Sequence, residues 1–190
     1  DPVKGDILLG GVSLKRYSQS EWRKRCGVVM QEGFIFSDTI AGNIGLIDEI
    51  PDREKIDRAV ETANIRDYIE GLPLGYNTRI GNDGQGLSTG QKQRLLIARA
   101  VYKDPDFIFF DEATNALDAT NERTIMENLG AFFEGKTVVI VAHRLSTVKN
   151  ADQIIVLEKG EVAETGTHRE LVSRKGAYFN LVKDQLELGG

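Results

Sequence analysis

Short apolar runs alternate with amphipathic stretches along the chain, and this alternation predicts an α/β fold. Cys26–Met30 is a β-rich run, Phe107–Phe110 is a short apolar run typical of a buried strand, and Thr137–Ala142 is apolar without the period-two alternation of a half-exposed strand. An apolar run without alternation is typical of a strand that is covered on both faces of a parallel sheet. We therefore expect these segments to form a buried parallel sheet.

A polar side chain follows each of these runs. Gln31 follows the first, Asp111 and Glu112 follow the second, and His143 follows the third. Because open parallel sheets bind ligands outside the carboxyl ends of their strands, these residues are candidates for chemistry. Successive strand residues point to opposite faces, so the two carboxylates favour separate roles, one as a metal ligand and the other as a base. A solvated acidic turn without chemistry is the alternative interpretation.

The segment 33–103 lacks strand signals and carries short helical patterns instead. Helices are predicted near Thr39–Ile44, Arg53–Ala63 with Asp52 as the cap, and Arg66–Glu70. We interpret 33–103 as a helical subdomain inserted into a core formed by 1–32 and 104–170. A C-terminal helical segment, 171–190, completes the chain.

The inserted segment closes with the glycine-rich stretch Gly81–Gln91 and a helix that is predicted to reach Lys103. Ser88 and Gln91 have the spacing of a capping box, so the helix begins at Ser88 and directs its free N–H groups outward. Such a helix end suits a phosphate. A well-capped helix with a purely structural role is the alternative, because most capping boxes are structural.

Local signals also predict the elements after the Phe107–Phe110 run. Asp118 can cap a helix whose apolar residues share one face. Those residues are Ile125, Leu129, Phe132 and Phe133. Two β-rich runs, Gln153–Leu157 and Glu161–Thr165, flank Lys159-Gly160 and predict a hairpin, and one or two helices follow between Leu171 and Leu188.

Composition narrows the function class. A chain of 190 residues with 41% hydrophobic residues can fill the core of one compact domain. The net charge of −5 and the lack of a Lys/Arg-rich run argue against nucleic acid as a partner. The single cysteine, Cys26, excludes an internal disulfide, and we expect a buried thiol there. No apolar run approaches the roughly 20 residues of a membrane helix, so a membrane would be met through a partner.

The stretch Gly130–Thr137 matches the phosphate-loop pattern, but its context is wrong. A phosphate loop follows a strand and opens a helix, whereas here a predicted helix enters and a predicted strand leaves. Two phenylalanines also occupy positions where the backbone would have to approach phosphate. We therefore interpret Lys136 as a solvated residue at a strand start, and the sequence contains no other phosphate loop.

Taken with these motifs, the chain resembles the nucleotide-binding domain of ABC transporters over nearly all of its length. Leu87–Gln91 is similar to the signature motif, Phe107–Glu112 to the Walker B strand with its glutamate, and Asn115–Asp118 to the D-loop. Gln31 and His143 match the Q-loop glutamine and the switch histidine. Phe34–Phe36 and Gly75–Gly81 resemble most closely the exporter branch, in which the domain is usually fused behind transmembrane helices.

The resemblance implies a fold, cofactors and partners. The fold would be a truncated P-loop NTPase of the RecA-like type, with a parallel sheet core and an inserted α-helical subdomain. The cofactor would be Mg²⁺ with ATP. The partners would be a second nucleotide-binding domain, as a homo- or heterodimer, and the transmembrane domain of the same transporter. The domain would lie at the cytoplasmic face of the cell membrane.

The resemblance also implies roles for individual residues. Asp111 would hold Mg²⁺, Glu112 would activate the attacking water as a base, and His143 would contact the γ-phosphate. Gln31 would contact the metal or the water. The signature residues Ser88, Thr89, Gly90 and Gln91 would close on an ATP that is held mainly by the second copy, and Asp118 would bridge that interface.

Departures from the family pattern put some of these roles in question. Thr89 stands where the signature usually has glycine, Asn115 where serine is common, and Asn82 where exporters commonly have glutamate. The Walker A loop is absent from these residues, which we expect to reflect a piece of a longer protein. The 190 residues alone are then expected to bind nucleotide weakly and to be inactive. The alternatives are a non-catalytic dimerisation or regulatory domain, and a soluble ABC ATPase outside transport.

Overall fold

The computed structural model of the chain describes residues 2–81, 86–142 and 144–188. The chain forms two compact units, Asp1–Val139 and Ile140–Gly190. The strands are β1 (Leu8–Leu9), β2 (Val12–Ser13), β3 (Cys26–Val29), β4 (Asp38–Thr39), β5 (Arg79–Ile80), β6 (Phe107–Asp111), β7 (Thr137–Val141), β8 (Ile154–Glu158) and β9 (Glu161–Gly166). The α-helices are α1 (Gln19–Arg25), α2 (Ile40–Ile44), α3 (Arg53–Thr62), α4 (Arg66–Glu70), α5 (Thr89–Lys103), α6 (Ala119–Phe133), α7 (Leu145–Val148), α8 (His168–Arg174) and α9 (Ala177–Leu188).

The sheet that carries the candidate residues has the strand order β3-β6-β7. β3 and β6 are parallel, with Cys26 opposite Phe107 and Val29 opposite Phe110. The predicted α/β fold with a parallel sheet is therefore confirmed. Because the strands are in register, their carboxyl ends lie at the same edge of the sheet.

Burial along the sheet differs from the expectation of strands covered on both faces. Exposed and half-buried residues alternate along β7, where Val139 is 46% and Val141 is 52% exposed, and Val28 of β3 is 56% exposed. Successive strand residues point to opposite faces, so one face of the described sheet is open to solvent at these positions. The prediction of cover on both faces, made for Thr137–Ala142, is wrong for β7 in the described part of the chain, because the sequence of a strand does not show which elements pack on it.

Helix α5 is the central element of the helical segment. It packs against α2, α3 and β3 and buries Leu95, Leu96, Ala98 and Val101, as its sequence pattern predicts. Asp52 caps α3 by accepting hydrogen bonds from the amides of Glu54 and Lys55 at 2.9 and 3.2 Å, also as predicted.

The segment 33–103 is not free of strands, contrary to the sequence-based expectation. β4 and β5 pair antiparallel, with Asp38 opposite Ile80 and Thr39 opposite Arg79. The amide of Ile40 extends this contact by donating to the carbonyl of Thr78 at 3.0 Å. Strands of two residues are too short to show a hydrophobic period, which is why the pattern missed them.

The stretch Gly130–Thr137, which matches the phosphate-loop pattern, has the predicted order of elements, a helix followed by a strand. α6 ends at Phe133 and β7 begins at Thr137, with Gly135 in the left-handed region at φ +74°. The expected solvation of Lys136 is wrong, because its ammonium group lies 2.8 Å from a carboxylate oxygen of Asp104 and its side chain is only 18% exposed. The lysine thus ties the start of β7 to the turn that precedes β6.

The unit Ile140–Gly190 has a small core of its own. β8 and β9 form the predicted antiparallel hairpin, with a register shift between Val156 and Leu157. The buried residues of this unit come from the hairpin and the following helices. They are Ile154, Val156, Leu171, Tyr178 and Val182.

Candidate functional site

The predicted strand-end residues Gln31 and Asp111 lie at one edge of the sheet. Gln31 follows the end of β3 and Asp111 is the last residue of β6, and both side chains are exposed. Among the described residues, no group of three or more His, Cys, Asp or Glu side chains could hold a metal ion. An amide oxygen and a carboxylate nevertheless fit Mg²⁺, which prefers oxygen ligands and takes the others from water and phosphates. These two residues could therefore hold Mg²⁺ together with a bound nucleotide.

Glu112 does not continue the strand. It adopts φ +49°, in the left-handed region that side-chain-bearing residues rarely occupy. The backbone N–H of Asn115 donates to the carbonyl of Glu112 at 3.1 Å, and this hydrogen bond closes a turn over residues 112–115. The side-chain amide of Asn115 also donates to Oε2 of Glu112 at 2.6 Å. Glu112 therefore lies outside β6, and the alternation of strand side chains, from which the separate roles of the two carboxylates were predicted, does not apply to this pair.

Asp118 caps α6, as predicted. Its Oδ1 accepts from the amides of Thr120 and Asn121 at 3.1 and 3.0 Å, and its Oδ2 accepts from the side-chain amide of Asn121 at 2.6 Å. The bond from the Asn121 side chain, followed by the backbone bonds, lowers the pKa of the Asp118 carboxyl below its ordinary value. Both oxygens therefore have partners within the chain, although the side chain is exposed.

The start of α5 has the predicted capping box. The amide of Ser88 donates to Oε1 of Gln91 at 2.8 Å, and the amide of Gln91 donates to Oγ of Ser88 at 3.2 Å. Thr89 is exposed at the first helical position. A Cβ atom on Gly90 would lie 3.4 Å from the carbonyl oxygen of Ala116, so this end of the helix lies against the loop between β6 and α6. The structure thus brings the signature-like and D-loop-like segments together.

Sequence reasoning missed a set of polar contacts that α5 makes with the segment after Gln31. Gln93 is buried and donates to the carbonyl of Met30 at 3.3 Å. Arg99, two turns further along, donates to the carbonyls of Phe34 and Asn43 at 2.9 and 2.7 Å. Gln93 and Arg99 interrupt the apolar face of an amphipathic helix. A polar residue at an otherwise apolar position was the sequence signal that could have indicated these contacts.

Burial of Arg99 has an electrostatic consequence. Desolvation lowers the pKa of its guanidinium to about 10, because the charged form is the one that burial disfavours. The group is still protonated at neutral pH, and carbonyl dipoles with the side-chain oxygen of Asn43 at 3.2 Å receive its N–H groups. A buried charge held by carbonyls fixes the backbone that carries them.

A second network ties α5 to α6. Arg94 donates to the carbonyl of Asn64 at 2.7 Å and to the side-chain oxygen of Asn121 at 3.4 Å. Asn64 also donates to that oxygen, at 3.0 Å, from a backbone with φ +51°. Since Asn121 binds Asp118, the network ends on the cap of α6.

Two residues of the sequence analysis lie outside the described residues. They are His143, the predicted γ-phosphate contact, and Asn82 of the glycine-rich stretch. Their roles stay predictions.

The helical segment presents exposed apolar side chains after Gln31. Phe34 and Phe36 form an edge-to-face pair with ring centroids 4.9 Å apart, and both rings are about half exposed. The others in this segment are Leu46, Ile47 and Ile50. Exposed apolar residues grouped in one segment are typical of a surface that meets another protein. In the described part of the chain, no helix has the length and apolarity to cross a membrane.

Comparison with known proteins gives consistent matches. The family model described as "ABC transporter" matches residues 1–115. The ATP-dependent lipid A-core flippase of Cupriavidus metallidurans is 44% identical over 97% of this chain and 32% of its own length. ABC transporter B family member 14 of Arabidopsis thaliana is 45% identical over 97% of this chain and 15% of its own length.

A solved structure matches equally well. A bacterial Atm1-family ABC exporter with ATP bound superposes with a TM-score of 0.93 and 39% identity, over 98% of this chain and 33% of that chain. The chain therefore spans about a third of the length of this exporter and of the flippase.

Proposed function

The chain belongs to the ABC transporter family, and from this premise we propose that it is part of the nucleotide-binding domain of an exporter that hydrolyses ATP to move a substrate across a membrane. The observation that supports the proposal is the sheet edge formed by the parallel strands β3 and β6, because Gln31 follows the end of β3, Asp111 ends β6 and Glu112 follows it. Exporters and a flippase among the matched proteins support the direction of transport.

Each residue at the edge has a proposed task in phosphoryl transfer. Asp111 and Gln31 would hold Mg²⁺, which when bound would neutralise charge on the phosphates. Glu112 accepts the proton of the attacking water as the general base, and His143 contacts the γ-phosphate. Positioned charges and dipoles of this kind stabilise the transition state with little covalent chemistry by the protein.

We propose that the start of α5 serves an ATP held by a second copy. Ser88, Thr89, Gly90 and Gln91 would face that nucleotide, and Asp118 would lie at the interface. The proximity of Gly90 to the carbonyl of Ala116, which would lie 3.4 Å from a Cβ atom built on Gly90, supports placing these two segments at the same interface. Helix α5 has 15 residues, which is long enough for a developed dipole.

The proposed membrane partner is the transmembrane domain of the same transporter, which would place the domain at the cytoplasmic face of the membrane. The exposed pair Phe34 and Phe36 supports this, since their segment begins directly after Gln31 and is fixed to α5 by Arg99. A contact on this surface would thereby affect the positions of both the proposed metal ligand Gln31 and the phosphate-facing helix α5.

The test of catalysis is Glu112→Gln in the full-length protein. We expect ATP to bind and remain trapped while turnover falls by about 10²–10⁴, the usual contribution of a general base. The matched control is Glu127→Gln, which removes an exposed carboxylate on α6. In the described chain, the salt bridge of Glu127 is with Arg123, whose side chain is also exposed. Undiminished turnover in Glu112→Gln would remove Glu112 from the role of general base.

A second test concerns the 190 residues alone. They contain no acceptable phosphate loop, so we expect weak ATP binding and no hydrolysis by the isolated chain. Isothermal titration with Mg-ATP measures this directly. Micromolar affinity of the isolated chain would show that the proposal is wrong on this point.

A further inference from the structure

Glu112 holds a conformation that needs support. As a residue with a side chain at φ +49°, it occupies a region that costs about 1 kcal/mol or more. Strain of this kind persists only where neighbouring contacts hold it. The neighbour that contacts both the backbone and the side chain of Glu112 is Asn115.

Asn115 holds Glu112 at two points. Its backbone N–H donates to the Glu112 carbonyl at 3.1 Å, and this bond closes the turn. Its side-chain amide donates to Oε2 of Glu112 at 2.6 Å, and a hydrogen bond to an ionised acceptor is stronger than one between neutral groups. One residue thereby restrains both ends of the glutamate.

We propose that Asn115 is a positioning residue for Glu112, orienting the carboxylate for the water it activates; this rests on the function proposed above. A carboxylate has about four lone-pair sites, so one bond from Asn115 is compatible with a second bond to water. The bond fixes the side-chain torsions of Glu112 before ATP arrives. The attacking water then meets a carboxylate that needs no reorientation, and displacements of about 1 Å in such groups can cost on the order of 10² in rate.

The competing view is that Asn115 only closes the turn. The backbone bond would then suffice, and any residue at position 115 would serve equally. The two views differ in what a change of side chain does, because the backbone N–H survives every substitution except proline.

The experiment uses the full-length protein with Asn115→Ala and Asn115→Asp. The second variant has the same shape but replaces the N–H donor by a carboxylate oxygen that repels Oε2 of Glu112, so it tests the bond even where the smaller side chain disturbs folding, and its effect should be at least that of Asn115→Ala. The matched control is Asn128→Asp on α6, whose side-chain amide donates to the carbonyls of Glu61 and Thr62 at 3.3 and 3.4 Å. For each variant kcat and KM for ATP are measured, together with the thermal unfolding temperature.

We expect kcat to fall by about tenfold in both Asn115 variants with KM changed less than about twofold, because the bond acts on chemistry and not on ATP binding. Asn128→Asp should leave both constants unchanged. The decisive readout is a double-mutant cycle with Glu112→Asp, whose carboxylate is one methylene shorter and no longer reaches the Asn115 amide. In that background, Asn115→Ala should have no further effect on kcat.

Several results would overturn the proposal. An equal fall of kcat in both backgrounds would show that Asn115 does not act through Glu112. A raised KM with unchanged kcat would make Asn115 a nucleotide contact, and a lower unfolding temperature with unchanged kcat would leave it a structural role. The proposed function fails separately, when the unaltered full-length protein does not hydrolyse ATP, and the base role of Glu112 fails when Glu112→Gln alone retains full turnover.

Discussion

The guanidinium of Arg99 donates to the carbonyl of Asn43 at 2.7 Å, across a separation of 56 residues in the sequence. It also donates to the carbonyl of Phe34 at 2.9 Å. This relationship attaches the segment after Gln31 to the helix that begins at Ser88. A single side chain of α5 therefore connects this helix to the segment that follows Gln31.

Replacing Arg99 by methionine should destabilise the protein strongly. The change keeps much of the apolar stem but removes the donor to the carbonyls of Phe34 and Asn43. The bond to Phe34 is exposed, whereas Asn43 is buried and the loss of this donor to its carbonyl should cost about 1–3 kcal/mol. Denaturant unfolding of the protein measures this as a lower midpoint. The control is Arg123→Met, which removes an ion pair whose arginine side chain is 84% exposed and should change stability by less than about 0.5 kcal/mol. Equal effects of the two variants would contradict the role given to Arg99.

Gly33 is predicted to tolerate no side chain, because a Cβ atom there would collide with the end of Leu96 on α5. Gly33→Ala should cost about 1–3 kcal/mol through overpacking. Leu96→Ala should cost about 2–5 kcal/mol through the cavity it leaves. Combining both should cost clearly less than the sum, since the new methyl group enters the space that Leu96 vacates.

The control for this pair is Gly130→Ala in α6. Nothing lies within 4 Å of a Cβ atom at Gly130, so alanine there should stabilise the helix by up to about 1 kcal/mol. Strict additivity of Gly33→Ala and Leu96→Ala would count against direct packing of the two residues.

Acid should remove the stabilisation that Asp118 provides. Because the folded pKa of this carboxyl lies below its ordinary value of 3.8, its contribution is fully present above that value and is lost as the pH falls through the lower folded pKa. The Asp118→Asn variant keeps an oxygen for the cap, and its amide does not titrate. We therefore expect the thermal stability of this variant to depend less on pH between about 2 and 5 than that of the original protein.

The comparison that isolates the cap is Asp118→Ala, which lacks the accepting oxygen. It should unfold at a lower temperature than Asp118→Asn at pH 7. Identical melting temperatures of the two variants at pH 7 would show that the cap contributes nothing.

Alkali should weaken the contact between Tyr76 and Asp57. Burial, followed by the hydrogen bond that the Tyr76 hydroxyl donates to Asp57 at 2.8 Å, raises the pKa of Tyr76 to about 12. The neutral form is the one stabilised by folding, so the contribution is complete below the unfolded pKa of 10 and is lost as the pH rises through 12. Tyr76→Phe should be less stable by about 2 kcal/mol at pH 8.

The measurement is the difference in unfolding free energy between the original protein and Tyr76→Phe as a function of pH. The difference should shrink as the pH rises from about 10 to about 12. A difference that stays constant over this range would contradict the assigned bond.

The features that the sequence predicted correctly are governed by neighbours in the chain. The capping box of Ser88 and the cap by Asp118 depend on residues two or three positions away, so residue type and spacing suffice. The parallel sheet, although not the pairing of β3 with β6, was predicted from apolar runs long enough to be recognised as strands. The order of the candidate motifs along these elements then located the sheet edge.

The features that the sequence missed depend on distant partners or on backbone conformation. The acceptors of Arg99 lie 56 and 65 residues away, and no local pattern indicates them. The left-handed backbone of Glu112 could not be predicted, because glycine and asparagine are the usual residues there. The exposure of Val139 and Val141 depends on which elements pack on the sheet, and the sequence of an apolar run does not indicate those elements.

The separation between Asn43 and Arg99 also sets an order of events on the ribosome. At about 5–20 residues per second, Arg99 emerges roughly 3–11 s after Asn43, which is 56 residues earlier in the chain. Until α5 is synthesised, Ile40 and Ile44 of α2, which are at most 1% exposed in the folded chain, lack the helix they pack against. A nascent chain halted before Arg99 should therefore bind chaperones through these isoleucines. In a longer nascent chain, the chaperones should dissociate once α5 has left the exit tunnel.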